Sequence, residues 1–219
     1  MLKFPCLILD HDDTVVQSEK TIGYPFFQMY LDRTRPGTYI SLSDYIRGCA
    51  KHGFADMCRL YWDFSEEELA SEYAEWMEFS RSHIPDPYPG IRQLLQKHKA
   101  LGGRICVVSH SSTEIITRDY ETLFGVLPDK IYSWDLPEEL RKPSTYAIED
   151  ILRCYGYSKE QLLILDDLSL ACTMATAAGV KIAFAGWSKE DLPELAQEME
   201  SLCDYSFSTV AELDKFLFD

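Results

Sequence analysis

Short, continuously apolar runs alternate with amphipathic stretches over most of the chain. Runs at residues 4–10, 104–109, 131–134, 162–166 and 180–185 have the length of β-strands. Most are apolar without interruption, the pattern of strands covered by helices on both faces. Between them the spacing becomes helical. Pro89 suits a first helical position, Ile91, Leu94, Leu95, His98 and Leu101 form the stripe, and Gly102 can end the helix in a left-handed conformation. Ile148, Ile151, Leu152 and Tyr155 form a second stripe closed by Gly156, and Ser188 can cap a helix beginning near Lys189. This alternation predicts an α/β fold with a doubly wound, mainly parallel sheet.

Residues 18–88 have a different texture, with helical patterns only. Ser65 and Glu68 have capping-box spacing, and Glu66 and Glu67 sit favourably against the helix dipole. Leu69, Tyr73, Trp76 and Ser80 then trace one expected face, with Trp62, Trp76 and Tyr73 read as core of this module. Tyr30-Leu31, Tyr45-Ile46 and Leu60-Tyr61-Trp62 suggest further helices. The stretch IPDPYPG, residues 84–90, holds three prolines and reads as a stiff linker. The expected organisation is therefore a core of residues 1–17 and 89–219, interrupted by a helical module at 18–88. There is no internal repeat or low-complexity segment.

Composition narrows the partners. With 46% hydrophobic and 26% charged residues the chain can bury a full core. Its net charge of −15 repels nucleic acid and anionic membranes, so neither is an expected partner. The same charge repels a phosphorylated substrate unless a local cation reverses the field. Seven cysteines occur without a CxxC pair, the pattern of free thiols in a reducing cytoplasm. The first apolar stretch ends at Asp10, too short for a signal peptide, and no run reaches the ~20 residues of a membrane span. A cytoplasmic location is expected. The sequence sets no oligomeric state.

The candidate chemistry lies where strands end. Ligands of open parallel sheets bind at the carboxyl ends of the strands. The first run, LIL, meets Asp10, Asp12 and Asp13, with Thr14 behind them. A DxDxT match alone is also what turns and helix caps produce. Other strand ends add weight: ICVVS closes at Ser109 followed by His110, LLILDD closes at Asp166 and Asp167, and Lys142-Pro143 precedes a helix. Two unit charges at ~4 Å repel by ~4 kcal/mol at an effective dielectric of ~20. A bound Mg²⁺, which favours oxygen ligands beside phosphate, makes such a cluster tolerable.

DHDDT, VVSHSS, RKPST and ILDD resemble, in order and strand context, the four motifs of haloacid dehalogenase-like hydrolases. The resemblance covers essentially the whole chain. The insert between the first motif and the serine motif, together with the turn Ser158-Lys159-Glu160-Gln161, is similar to the phosphoglycolate phosphatase and β-phosphoglucomutase-like branch with a helical cap. The resemblance implies a Rossmann-like core and an Mg²⁺-dependent phosphatase acting on a small phosphorylated metabolite. Asp10 would be the nucleophile and Asp12 the general acid and base. Ser109 would hold the phosphoryl group, with His110 a further candidate ligand contact, and Lys142 would neutralise charge between nucleophile and phosphate. Asp10, the backbone carbonyl of Asp12, and Asp167 would ligate Mg²⁺, Asp166 would act through water, and Thr14 would brace the loop.

Asp12 favours phosphate transfer, since dehalogenases and phosphonate-cleaving relatives lack an acid there. Similar sugar mutases carry a histidine near the start of the cap, whereas Ile22-Gly23-Tyr24 contains none. A sugar phosphomutase and a non-catalytic binding protein stay open as alternatives. Asp13 replaces the usual glycine, so either this backbone position is relaxed or Asp13 adds charge near the metal. Gln17 and Ala171 also depart from the pattern. His11 sits between the acids, and Arg47, Lys51, His52 and Arg59 are basic residues of the helical module, one of which could meet a substrate anion.

Overall fold

In the computed structural model, which describes residues 2–219, the chain forms two compact units. One comprises the chain up to Val16 together with Pro87–Asp219, and the other is Gln17–Asp86.

The first unit is built on six parallel strands: β1 (Cys6–Leu9), β2 (Arg104–Val108), β3 (Lys130–Tyr132), β4 (Leu162–Asp166), β5 (Lys181–Ala185) and β6 (Tyr205–Phe207). Their order is β3-β2-β1-β4-β5-β6. The alternation of strand side chains explains why the runs are apolar throughout. Leu7, Leu9, Ile105, Val107, Leu163 and Leu165 point to one face, where they pack with α5 (Ile91–Ala100), α6 (Thr113–Asp119) and α10 (Val210–Phe218). Cys6, Ile8, Cys106, Val108, Leu162 and Ile164 point to the other and pack with α7 (Tyr146–Tyr155), α8 (Ser169–Ala178) and α9 (Pro193–Leu202). Each Leu, Ile or Val buried in this way contributes about 1.5–3 kcal/mol. The expected doubly wound α/β sheet is present. All seven cysteines are free thiols. No helix of the described residues is long and apolar enough to cross a membrane.

Three local expectations are corrected. β6 is an additional strand; at three residues, with Phe207 its buried member, it carries too little pattern to read. Pro89 precedes α5 and does not open it: Gly90, with φ 92°, makes the turn and the helix begins at Ile91. Ser188 caps no helix. Residues Gly186–Lys189 form a 3₁₀ turn in which Ser188 Oγ donates to Ala185 O, and α9 starts at Pro193. A short turn at the end of a strand therefore carries Lys189, which matters below.

The second unit consists of α1 (Tyr24–Thr34), α2 (Leu42–His52), α3 (Phe54–Trp62) and α4 (Glu66–Ser82), preceded by a π-helical turn at Glu19–Gly23. Its core is aromatic: Phe26, Phe27, Tyr30, Tyr45 and Phe64 pack with Leu31, Met57 and Cys58, and Trp62 and Trp76 lie against them. Gly48 lets α2 approach α3, since a Cβ there would meet Met57 Sδ at 2.4 Å. The capping box forms, with Glu68 N donating to Ser65 Oγ and Ser65 N donating to the Glu68 carboxylate. Tyr73, expected on the inner face of α4, is 49% exposed, and Glu72 is buried in its place.

Burial, reinforced by the charge of Glu75, pushes the Glu72 carboxyl up to about 7 from 4.5. Between those values the folded state holds a proton that the unfolded state releases, so stability falls as pH rises through this window. Glu72→Gln is expected to leave the melting temperature nearly unchanged at pH 4.5 and to raise it by roughly 3 °C or more at pH 8. Thermal melts at the two pH values check this.

Candidate active site

The strand order changes direction between β1 and β4, and the carboxyl ends of these two strands flank the crevice where open parallel sheets place ligands. Leu9 pairs with Leu165, and Asp10 N donates to Leu165 O at 2.9 Å. Asp10 and Asp166 thus leave the sheet side by side. With Asp167 they form a buried group in which one carboxylate oxygen from each lies within 4.8 Å of the others.

Two buried ammonium groups hold this group together. Lys142, just ahead of α7, lies 3.0 Å from Asp10 Oδ1 and 2.9 Å from Asp166 Oδ2. Asp166 Oδ1 accepts from Leu168 N at 3.0 Å. Burial disfavours the Lys142 charge, but Asp10 and Asp166 outweigh it and raise its pKa. Burial, with the charges of Asp10 and Asp167, pushes the Asp166 carboxyl above the usual carboxylate range against the pull of Lys142. The second ammonium is Lys189, 3% exposed, 2.5 Å from Asp167 Oδ2 and 4.0 Å from Asp13 Oδ2. The helical spacing expected near Lys189 hides it in the sequence; its signal is a lysine four residues past a strand that ends on the same sheet edge.

The loop after β1 is braced on both sides. Thr14 Oγ1 donates to Asp167 Oδ1 at 3.3 Å, and Trp187 Nε1 donates to Thr14 O at 3.1 Å. Asp13 has φ 51°, so the backbone keeps the left-handed conformation that suits glycine, at a cost of about 1 kcal/mol for a residue with a Cβ. Its carboxylate is buried and faces Lys189. The position is therefore not relaxed, and Asp13 does add charge to the site.

The remaining candidates separate. Ser109 is buried directly after β2, and its Oγ accepts from Ser111 N at 3.2 Å. Asp12 is half-buried in the loop two residues beyond Asp10. His110 is exposed, with Nε2 3.4 Å from the carbonyl oxygen of Lys142 and its ring edge-on to Trp134. His11 points away from solvent altogether: its Nε2 lies 3.1 Å from Asp119 Oδ2, and both side chains are fully buried. Burial opposes its charge, yet the hydrogen bond with Asp119 and the charges of Asp12, Asp119 and Asp10 outweigh this and raise its pKa. Asp119 is also paired with Arg118 at 2.7 Å. The pair ties the acidic loop to α6.

Asp10, Asp13, Asp166 and Asp167 are four buried carboxyls facing the two ammonium groups of Lys142 and Lys189. The acids outnumber the ammonium groups, and all the donors are hard oxygens. This donor set fits a divalent cation such as Mg²⁺.

The model of the haloacid dehalogenase-like hydrolase family matches residues 7–185. The chain belongs to this family. Among solved structures similar to this haloacid dehalogenase-like hydrolase is a protein described as a haloacid dehalogenase-like hydrolase from Bacteroides fragilis, at 20% identity and TM-score 0.76, covering 96% of this chain and 100% of that one. A predicted phosphoglycolate phosphatase from Haemophilus somnus has 19% identity and TM-score 0.75, with 99% of each chain covered. CbbY from Rhodobacter sphaeroides, solved in complex with phosphate, has 18% identity and TM-score 0.69, covering 97% and 96%. At these identities the likeness is one of fold. No curated protein sequence gives a significant match. Lys189 lies beyond the residues that the family model matches.

Breaking a buried ion pair leaves one charge stranded. Asp119→Ala is expected to cost about 3 kcal/mol of stability in urea unfolding, and adding His11→Leu to recover part of it.

Proposed function

We propose that this protein is an Mg²⁺-dependent phosphatase that hydrolyses a small soluble phosphomonoester through an aspartyl-phosphate intermediate. The observation that carries the reading is the placing of Lys142 between Asp10 and Asp166 at the sheet's switch point, with Asp167 and Ser109 at neighbouring strand ends.

In this mechanism an Asp10 carboxylate oxygen attacks phosphorus and the bond to the ester oxygen breaks. Asp12 gives its proton to the departing alkoxide. The carboxylate of Asp12 then takes a proton from a water that attacks the phosphoryl group, which releases phosphate and restores Asp10. Asp12 is half-buried and the least enclosed of these acids, able to exchange protons, while Asp10 is pinned by Lys142. Lys142 offsets charge between nucleophile and phosphate, so that two anions can approach. Ser109 Oγ donates to a phosphoryl oxygen. Asp10, Asp167 and the carbonyl oxygen of Asp12 would hold Mg²⁺, with Asp166 bridged through water. When bound, the ion supplies charge neutralisation at the phosphoryl oxygens and orients them.

The donor chemistry of the cluster supports the cation, and two structural neighbours support a phosphate ester: one is described as a phosphoglycolate phosphatase and the other was solved with phosphate. In the same reading residues 18–88 act as the cap that selects the substrate, and the protein works in the cytoplasm on a small phosphorylated metabolite.

Phosphate release from a panel of small phosphate esters, with and without Mg²⁺, tests the proposal. Wild type should release phosphate only with the metal, and Asp10→Asn should reduce the rate below detection; activity surviving that substitution would sink the covalent route. Asp12→Ala should lower kcat about 10²–10⁴-fold, with Mg²⁺ affinity in calorimetry nearly unchanged. Equal loss of both would contradict the role given to Asp12.

A further inference from the structure

Asp13 stands in a left-handed backbone position, and a buried lysine from a distant turn faces it. Each feature is unfavourable alone. A side chain at φ 51° strains the backbone, and a carboxylate buried beside Asp167 repels it. A buried ammonium on the same edge would be equally costly without partners. Together they compensate, because Lys189 Nζ reaches Asp167 Oδ2 at 2.5 Å and Asp13 Oδ2 at 4.0 Å. Thr14 Oγ1 engages the other oxygen of Asp167 at 3.3 Å. Asp167 is therefore clamped from two sides by groups of this chain.

We propose that Lys189 and Asp13 form a built-in counter-ion pair that positions Asp167 and weakens the site's hold on its divalent cation. The proposal rests on the reading of the cluster as an Mg²⁺ site. Lys189 is a positioning residue, acting through Asp167. Its positive charge shares a carboxylate with the cation, so it repels the cation and competes for the same oxygens. Asp13 acts in the opposite sense, drawing part of that positive charge away from Asp167. The consequence is a cation site weaker than the same carboxylates would make without Lys189.

The signs follow from electrostatics. Without the ammonium, cation binding tightens. Without the Asp13 carboxylate, Lys189 loses an acidic neighbour that draws on its charge, more of that charge bears on Asp167, and binding weakens. With both removed, the two effects cancel.

Isothermal titration of Mg²⁺ into the metal-free full-length protein, with no substrate present, tests this. Lys189→Met should bind Mg²⁺ about tenfold tighter than wild type, a change of ~1.4 kcal/mol. Asp13→Gly, which suits the left-handed backbone, should bind several-fold weaker, and the double variant should return close to wild type. If Lys189→Met does not fold, Lys189→Gln provides the same test, and the sign for Asp13→Gly stands independently. A wild type that binds Mg²⁺ while the Lys189 variants bind equally or more weakly would overturn the counter-ion role and leave the phosphatase reading intact. A wild type that binds no Mg²⁺ at all would overturn the metal reading itself, and this inference with it.

Discussion

Everything at the working edge of this molecule depends on keeping buried carboxylates together. Asp10, Asp166 and Asp167 converge because adjacent parallel strands end in register, and the register is set by apolar contacts on both faces of the sheet. The core therefore imposes a repulsion that the side chains around it must answer. Lys142 answers it between Asp10 and Asp166, and Lys189 answers it at Asp167 and Asp13. An unpaired charge at such depth is far more costly than a paired one. The arrangement is one in which folding energy holds like charges within 4.8 Å of one another.

Much of this was legible in the chain. Strands covered on both faces announce themselves as unbroken apolar runs, so β1, β2, β4 and β5 stand out, and acids directly after them fall on one edge by topology. The capping box at Ser65 and the stripe of α7 are equally local signals, written within a few residues. What was not legible depends on partners far apart in sequence. His11 meets Asp119 across 108 positions, and Lys189 meets Asp167 only because the chain forms a short turn where a helix was expected. β6 is too short for its pattern to speak, and Tyr73 shows how an aromatic residue at helical spacing can still face solvent while a glutamate takes the inner position.

The departure at Asp13 illustrates how a single substitution reads differently at the two levels. Along the sequence it is an acid where glycine is usual, which suggests a weakened or crowded site. In the fold it keeps the glycine-like backbone and its carboxylate is matched by a lysine beyond the four motifs. The family is shown by the match over residues 7–185, and Lys189, which faces Asp13, lies outside that match.

The central claim is that the buried acids of β1 and β4 enclose one divalent cation. Anomalous diffraction from crystals soaked in Mn²⁺, which accepts the same oxygen ligands as Mg²⁺, tests it most directly. The account predicts one dominant peak bonded to carboxylate oxygens of Asp10 and Asp167. Peaks confined to the acidic surface, with none at this cluster, would contradict it.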